Sequence, residues 1–270
     1  MLTAEQQEKI TFIQGDLTDF TQVQNAITQH SVTHIIHLAA LQVPFCRANP
    51  VLGNQVNVVG TTNMFEAAKQ AGITHLTYAS SIAVYGRADQ YPDGPIQHDA
   101  PRIPHTIYGV TKVANEETAR VYWQDYGLSS ITFRPYTIYG VGRDQGLTSD
   151  PTKAIIAAIK GEPFEIGFSG GMQFQLASDI AQQFIAAAEQ TDYEGAGAFN
   201  LGTPVATVDQ FVSHLKTILP DAQITQKEAT LPFPTHCDGS AMKATIPTIY
   251  ETPLADGIAQ TIAHFQRVLN

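Results

Sequence analysis

The chain is short of cysteine, of basic residues and of long apolar runs, and each shortage closes off a class of protein. Cys46 and Cys237 are the only cysteines in 270 residues, too few for a disulfide framework and in keeping with a reducing cytosol. Lysine and arginine total 15 against 25 aspartates and glutamates, and they cluster nowhere. With a net charge of −10 there is no electrostatic footprint for nucleic acid or for an anionic membrane. No stretch approaches the roughly 18 apolar residues that span a bilayer. The N-terminal MLTAEQQEKI is polar and lacks an apolar signal region, so a cytoplasmic location is expected. Hydrophobic residues nonetheless reach 43%, which excludes disorder and lets a chain of this length bury a full core.

What is present centres on residues 73–112. Ile73, Leu76, Tyr78 and Ala79 read as a buried strand ending in a small-residue corner at Ser80 and Ser81. In open α/β sheets ligands bind at the carboxyl ends of strands, where these hydroxyls fall. Tyr108 and Lys112 stand four apart on one face of a predicted helix over residues 106–126. A lysine held near a phenol favours the phenolate, lowering its pKa from about 10 toward working pH. Serine, tyrosine and lysine together form a proton-relay set for making or unmaking a carbonyl beside a hydride carrier. Two serines after a strand also serve as a turn or cap, and Tyr-x-x-x-Lys recurs by chance, so the weight lies in their conjunction.

The flanking segments alternate between strand and helix. Residues 10–14 read as a strand stopping at Gly15 and Asp16, followed by a helix that Asp19 is placed to cap. Residues 34–38 form a second strand closed by Ala39 and Ala40. His34 and His37, three apart on that strand, face opposite sides and make no metal pair. Val51, Val56, Val59, Met64, Phe65 and Ala68 give residues 50–71 a helical spacing, with Gly72 as the stop. Residues 87–105 read as an active-site loop and 130–136 as a strand. Gly140, Gly142 and Gly146 follow, but their spacing departs from a dinucleotide fingerprint. Beyond Pro151, helices are predicted over 152–160, 179–189, 208–219 and 253–269, and a strand at 198–201. A strand pair within 164–174 is predicted to turn at Ser169-Gly170-Gly171 as a hairpin.

Taken in order, GDLTD, HLAA, NVVGTTNMFEAA, YASSIAVYG, YGVTK and RPYTIYGVGR resemble the extended short-chain dehydrogenase/reductases, the NAD-dependent epimerase/dehydratase family, from about residue 10 to the C-terminus. The resemblance implies an α/β fold. Residues 1–136 would form a Rossmann-like parallel sheet on which 179–201 packs back, and 137–270 a mostly substrate-binding smaller lobe. It implies Ser81, Tyr108 and Lys112 as the catalytic set. NAD would meet Asp16 and Leu17 at its adenine, Ala39 and Ala40 along its backbone, and Tyr108 and Lys112 at its nicotinamide ribose. Asn57 either joins those contacts or is a buried structural amide, and Asp16 either meets adenine or belongs to the helix cap. Ser80, Thr137, Arg143 and Gln173 fall at substrate positions. No metal is implied, and a homodimer through the helices carrying 56–68 and 110–122 is.

One part of the family pattern is absent. The family opens on a strand, a Gly-x-x-Gly-x-x-Gly turn, a helix and a second strand, and the turn sets the cofactor's diphosphate on a helix N-terminus. Only nine residues precede Ile10 here. The expectation is an N-terminally truncated Rossmann-like fold with weak or absent NAD binding, NADP staying open as the alternative. Three readings follow: an enzyme whose start is missing, a cofactor-free ligand-binding or structural subunit, or an enzyme with an unconventional cofactor site. Family dehydratases carry Asp-Glu after the catalytic hydroxyl, where this chain has Ile82 and Ala83, which sets a 4,6-dehydratase aside. Nucleotide-sugar members commonly carry Asn where Thr137 stands and Arg-Asp where Met172 and Gln173 stand. A diphosphate-pairing arginine is difficult to replace. The expected substrate is therefore a small sugar or sugar acid, with Arg143 as the remaining cation, and with epimerisation and simple dehydrogenation both open.

Overall fold

The computed structural model describes residues 4–269. The first half runs α1 (Ala4–Glu8), α2 (Phe20–Gln29), β1 (Ile36–His37), α3 (Val43–Ala48), α4 (Pro50–Asn54), α5 (Gly60–Gln70), β2 (His75–Ala79), α6 (Ile107–Tyr126) and β3 (Ser129–Arg134). Then come β4 (Thr137–Tyr139), α7 (Asp150–Lys160), β5 (Phe164–Ile166), β6 (Gly171–Leu176), α8 (Ala177–Glu189) and β7 (Ala196–Asn200). The chain closes with β8 (Val205–Thr207), α9 (Val208–Ile218), β9 (Ile224–Gln226), α10 (Ser240–Thr245) and α11 (Leu254–Leu269).

A parallel sheet in the order β1-β2-β3-β7 positions the site. Parallel sheets are covered on both faces, so their strands read as continuous apolar runs, and β3 is buried along its whole length. One face packs Leu76 and Tyr78 against Phe65, Ala68, Val23 and Ile27 of α5 and α2. The other packs Ile131, Phe133 and Phe199 against Ile180 and Phe184 of α8. A third core, with Tyr139, Phe174, Phe211 and Ile258, holds together the small sheets β4-β6-β8 and β5-β9. Among the described residues no helix is long and apolar enough to cross a membrane.

Four expectations about local structure are corrected. Residues 10–14 are irregular rather than a strand, and Phe12 is 85% exposed. Among the described residues no strand pairs with that segment, although β1 is an edge of the sheet, and an extended segment without a partner leaves its backbone groups to water. The strand expected at 34–38 is confined to Ile36–His37. The helix expected over 50–71 is interrupted by a π-helical turn, Gln55–Val59, between α4 and α5. Val51 and Val59 lie outward on it, exposed, while Phe65 and Ala68 are buried. The hairpin at Ser169-Gly170-Gly171 does not form: β5 pairs in parallel with β9, and the antiparallel partner of β6 is β8. Asp19 does cap α2, accepting from Thr21 N at 2.9 Å and Gln22 N at 3.2 Å.

One close approach sets the site's geometry. A Cβ on Gly109 would stand 2.1 Å from the Ala83 carbonyl, so only glycine lets the first turn of α6 press onto the 3-10 turn Ile82–Val84 that follows the serine corner. Tyr108 is thereby delivered beside Ser81.

Candidate active site

β2 and α6 build the site between them. Thr106 caps α6, accepting from Gly109 N at 2.9 Å, which places Tyr108 in the first turn and Lys112 one turn on. Lys112 Nζ donates to the Ala79 carbonyl at the end of β2, 2.6 Å away. Ser81 is extended, and its Oγ accepts from Ala83 N at 3.2 Å. Ser81, Tyr108 and Lys112 line one cavity of ≈ 360 Å³ at the carboxyl end of β2. Ser80, Gln42, Arg143 and Thr148 are further polar members of its wall, which is otherwise mostly apolar, including Leu38, Val43, Ile138 and Phe233.

The electrostatics differ from the sequence expectation. Burial pulls the Lys112 ammonium down to about 8, against the favourable charges of Cys46 and Glu116. Burial raises the Tyr108 phenol above its usual value, with a Ser81 hydrogen bond and the Arg143 charge pulling the other way. The phenol is not lowered by Lys112, whose Nζ is 5.6 Å from the Tyr108 ring centroid and is bonded to Ala79. A lysine that deprotonates near pH 8 has lost its charge before such a phenol titrates. Beneath it, His37 shares a 2.9 Å hydrogen bond with Thr61 Oγ1, and burial with the Lys112 charge brings its imidazole down to about 4.

A buried ion pair supports the corner and was not anticipated. Arg134 at the end of β3 donates to Glu116 through Nε at 2.8 Å and Nη2 at 2.7 Å, with both side chains buried. Ser80 Oγ donates to the same carboxylate at 2.5 Å, and Arg102 reaches it from the 87–105 loop at 3.1 Å. Burial acts to raise the Glu116 carboxyl, but the Arg134 contacts, the Ser80 bond and the Arg102 charge outweigh it and hold it below the usual range. The available signal was that Glu116 lies four residues after Lys112, continuing one helix face.

The remaining sequence candidates divide. Ser80, Arg143 and Ala40 line the cavity; Ala39 does not. Asn57 is wholly buried: its Oδ1 accepts from Leu41 N at 2.7 Å, and its Nδ2 donates to Leu41 O at 2.9 Å and Thr111 Oγ1 at 3.1 Å. Thr137 is buried against Met172. Gln173 is spent on Thr203 O and on both backbone groups of Cys237. Asp16 and Leu17 border a separate pocket of ≈ 420 Å³ beside α2, where Asp16 accepts from Thr18 N and Oγ1.

The reacting end of a nicotinamide cofactor fits this cavity. Among the described residues the buried Lys112 ammonium has one partner, the Ala79 carbonyl, so two of its three donors are unspent in the cavity that Tyr108 also lines, a set suited to ribose hydroxyls. Among the described residues no glycine-rich strand–turn–helix unit precedes β1, and Leu41 N, in the loop after β1, is taken by Asn57.

With a parallel sheet, a serine corner and a Tyr-x-x-x-Lys helix meeting at one cavity, the class is that of a dinucleotide-type α/β oxidoreductase fold. A profile of the NAD dependent epimerase/dehydratase family matches residues 2–202, and the chain belongs to that family. It is 32% identical over 200 residues to the uncharacterized protein MJ1055 of Methanocaldococcus jannaschii, a match covering 72% of this chain and 59% of that one. It is 27% identical to the UDP-glucose 4-epimerase of Mycolicibacterium smegmatis, over 98% of this chain and 85% of that one. The solved structure of MoeE5 in complex with UDP-glucose and NAD matches at TM-score 0.81 and 27% identity, covering 96% of this chain and 86% of that chain.

Proposed function

We propose that this chain carries the chemical half of an NAD(P)-dependent oxidoreductase acting on a hydroxyl, or the corresponding carbonyl, of a small sugar-like substrate, with Ser81, Tyr108 and Lys112 as the relay. The observation that carries this reading is that all three line one cavity, with the Lys112 ammonium fixed on the last carbonyl of β2. A nicotinamide, when bound, supplies or accepts the hydride. Tyr108, whose phenol is raised and therefore protonated at neutral pH, gives its proton to a carbonyl oxygen during reduction, and it is the phenolate, which gains population as pH rises, that takes a hydroxyl proton during oxidation. Ser81 Oγ donates to the same oxygen and steadies its developing charge. Lys112 holds the ribose with its unspent donors. Ile82 and Ala83 offer no acid or base at the neighbouring carbon, so dehydration lies outside this set.

NAD binding to the 270-residue chain is weak in this reading, because the diphosphate lacks its cradle. A second reading is a cofactor-free ligand-binding or structural subunit derived from the family. In both, residues 1–136 with 179–201 form the sheet domain and most of 137–270 the substrate lobe, and the chain pairs with a second copy.

Substrate-dependent change in NADH absorbance at saturating cofactor, over a panel of sugars and sugar acids, tests the reading. Turnover that Tyr108→Phe abolishes and Ser81→Ala lowers about 10²-fold supports it. Turnover unchanged in Tyr108→Phe overturns the relay, and no turnover with any NAD(H) or NADP(H) pair favours the second reading.

A further inference from the structure

Resting on the oxidoreductase reading above, we propose that Phe233 is a specificity-determining residue: the substrate is a free deoxy sugar whose methyl group packs on the Phe233 ring, rather than a fully hydroxylated sugar. Phe233 is buried and lines the cavity that Ser81, Tyr108 and Lys112 share. Its ring stands edge-on to Tyr136, another wall residue, with centroids 6.2 Å apart and planes at 85°. The backbone leaves this side chain little freedom. Pro232 and Pro234 flank it, each with φ locked by its ring, and a residue that precedes proline is confined to extended backbone. The segment is tied down on both sides: Ser169 N donates to Ala229 O at 2.8 Å before it, and Cys237 N donates to Gln173 Oε1 at 2.9 Å after it. An aromatic surface held in place this way binds with little ordering cost.

The wall that carries Phe233 has few polar groups to give a sugar. Among the described residues, the part of the wall that follows Tyr136 in the chain has two polar side chains, Arg143 and Thr148. These contact each other at 3.3 Å, and the Asp144 charge acts on the arginine. The rest of that part is apolar or glycine, Ile138, Leu147 and Phe184 included. Polar side chains of β4 and β6 are consumed by the fold: Thr137 on Met172, Gln173 on Thr203 and Cys237, and Gln175 on Tyr136 N at 2.8 Å and Leu201 O at 3.0 Å. A sugar hydroxyl turned onto Phe233 would therefore leave water without gaining a partner, whereas a methyl group there gains by leaving water. Both effects select the deoxygenated sugar, and the reacting hydroxyl keeps Ser81 and Tyr108. At ≈ 360 Å³ the cavity lies near the small end of ligand sites, which run from about 300 to 1,000 Å³, in keeping with a single sugar ring.

The test is calorimetric titration of the chain with sugars that differ in a single oxygen, D-fucose against D-galactose and L-rhamnose against L-mannose. Wild type, Phe233→Leu and Phe233→Asn are compared, with melting temperatures to confirm folding. In wild type at least one deoxy sugar is expected to bind about tenfold or more tightly than its hydroxylated parent. Phe233→Leu should keep a preference, and Phe233→Asn, which offers the missing hydroxyl a partner, should abolish it by strengthening the parent sugar. Parent sugars that bind wild type as tightly as the deoxy sugars, a deoxy preference that survives Phe233→Asn, or absence of binding of all four sugars in the millimolar range each overturns the proposal. The wild-type comparison decides the matter even where Phe233→Asn fails to fold. A deoxy preference in binding with no turnover by either nicotinamide pair would reject the oxidoreductase reading alone, and Tyr108-dependent turnover at equal kcat/KM for deoxy and parent sugars would reject the Phe233 assignment alone.

Discussion

Lys112 Nζ donates to the Ala79 carbonyl at 2.6 Å, fixing the ammonium to the end of β2 rather than to the Tyr108 hydroxyl. The cation that acts on the phenol is Arg143. Tyrosine labelled with carbon-13 at Cζ, with the Tyr108 signal assigned by its loss in Tyr108→Phe, should titrate above the ordinary tyrosine value in the free protein. Arg143→Met should raise the midpoint further and Lys112→Met should move it less, since Lys112 has lost its charge by about pH 8. A larger shift in Lys112→Met would restore the lysine to the role the sequence assigns it.

Glu116→Gln should destabilise strongly. Arg134 would keep its buried charge without the carboxylate that answers it, a loss of roughly 3–5 kcal/mol. For a chain of this size that corresponds to a fall of roughly 6 °C or more in Tm, read by calorimetry. Adding Arg134→Met should recover part of the loss, because the two residues share one network.

His37 gives the acid side of the stability profile. Its folded value of about 4 lies below the 6.5 of the free side chain, so between these two values the unfolded chain binds the extra proton. Stability therefore falls as pH drops through 6.5 toward 4, and the full effect of this group is about 3 kcal/mol. His37→Asn should flatten the decline of Tm in that window. A decline of unchanged steepness would assign it to the carboxylates.

The local part of this architecture was legible in the sequence and the tertiary part was not. Tyr108 and Lys112 could be paired because helical spacing alone puts them on one face, and the Ser81 corner because it ends an apolar run. Glu116 continues that face, yet its weight comes from Arg134 on a strand 18 residues on, which no local pattern shows. Residues 10–14 have strand composition and no strand to pair with. The Ser169-Gly170-Gly171 turn looks like a hairpin until β8 supplies the antiparallel partner from 205–207. Gln173 was placed by its position in a family pattern, and its side chain is consumed by Cys237 and Thr203.

Exposed Val51 and Val59, with Ile107, Val110 and Val121 of α6, bear on assembly. An apolar surface of this kind drives association, and light scattering at micromolar concentration should give a dimer. Val59→Glu combined with Val110→Glu should shift it to monomer without lowering helix content. A wild-type monomer would rule out this surface as the contact.

The most direct measurement compares NADH with reduced nicotinamide mononucleotide, which keeps the nicotinamide ribose and lacks the adenosine half. If Lys112 and Tyr108 hold the ribose while the diphosphate has no cradle, both should bind the 270-residue chain in the millimolar range, within about tenfold of each other, because each lost charge-assisted contact is worth about 1.5–3 kcal/mol. Fluorescence titration reads both constants, and Lys112→Met should weaken both alike. NADH binding at micromolar concentration and far more tightly than the mononucleotide, or indifference of both to Lys112→Met, would contradict the site described here.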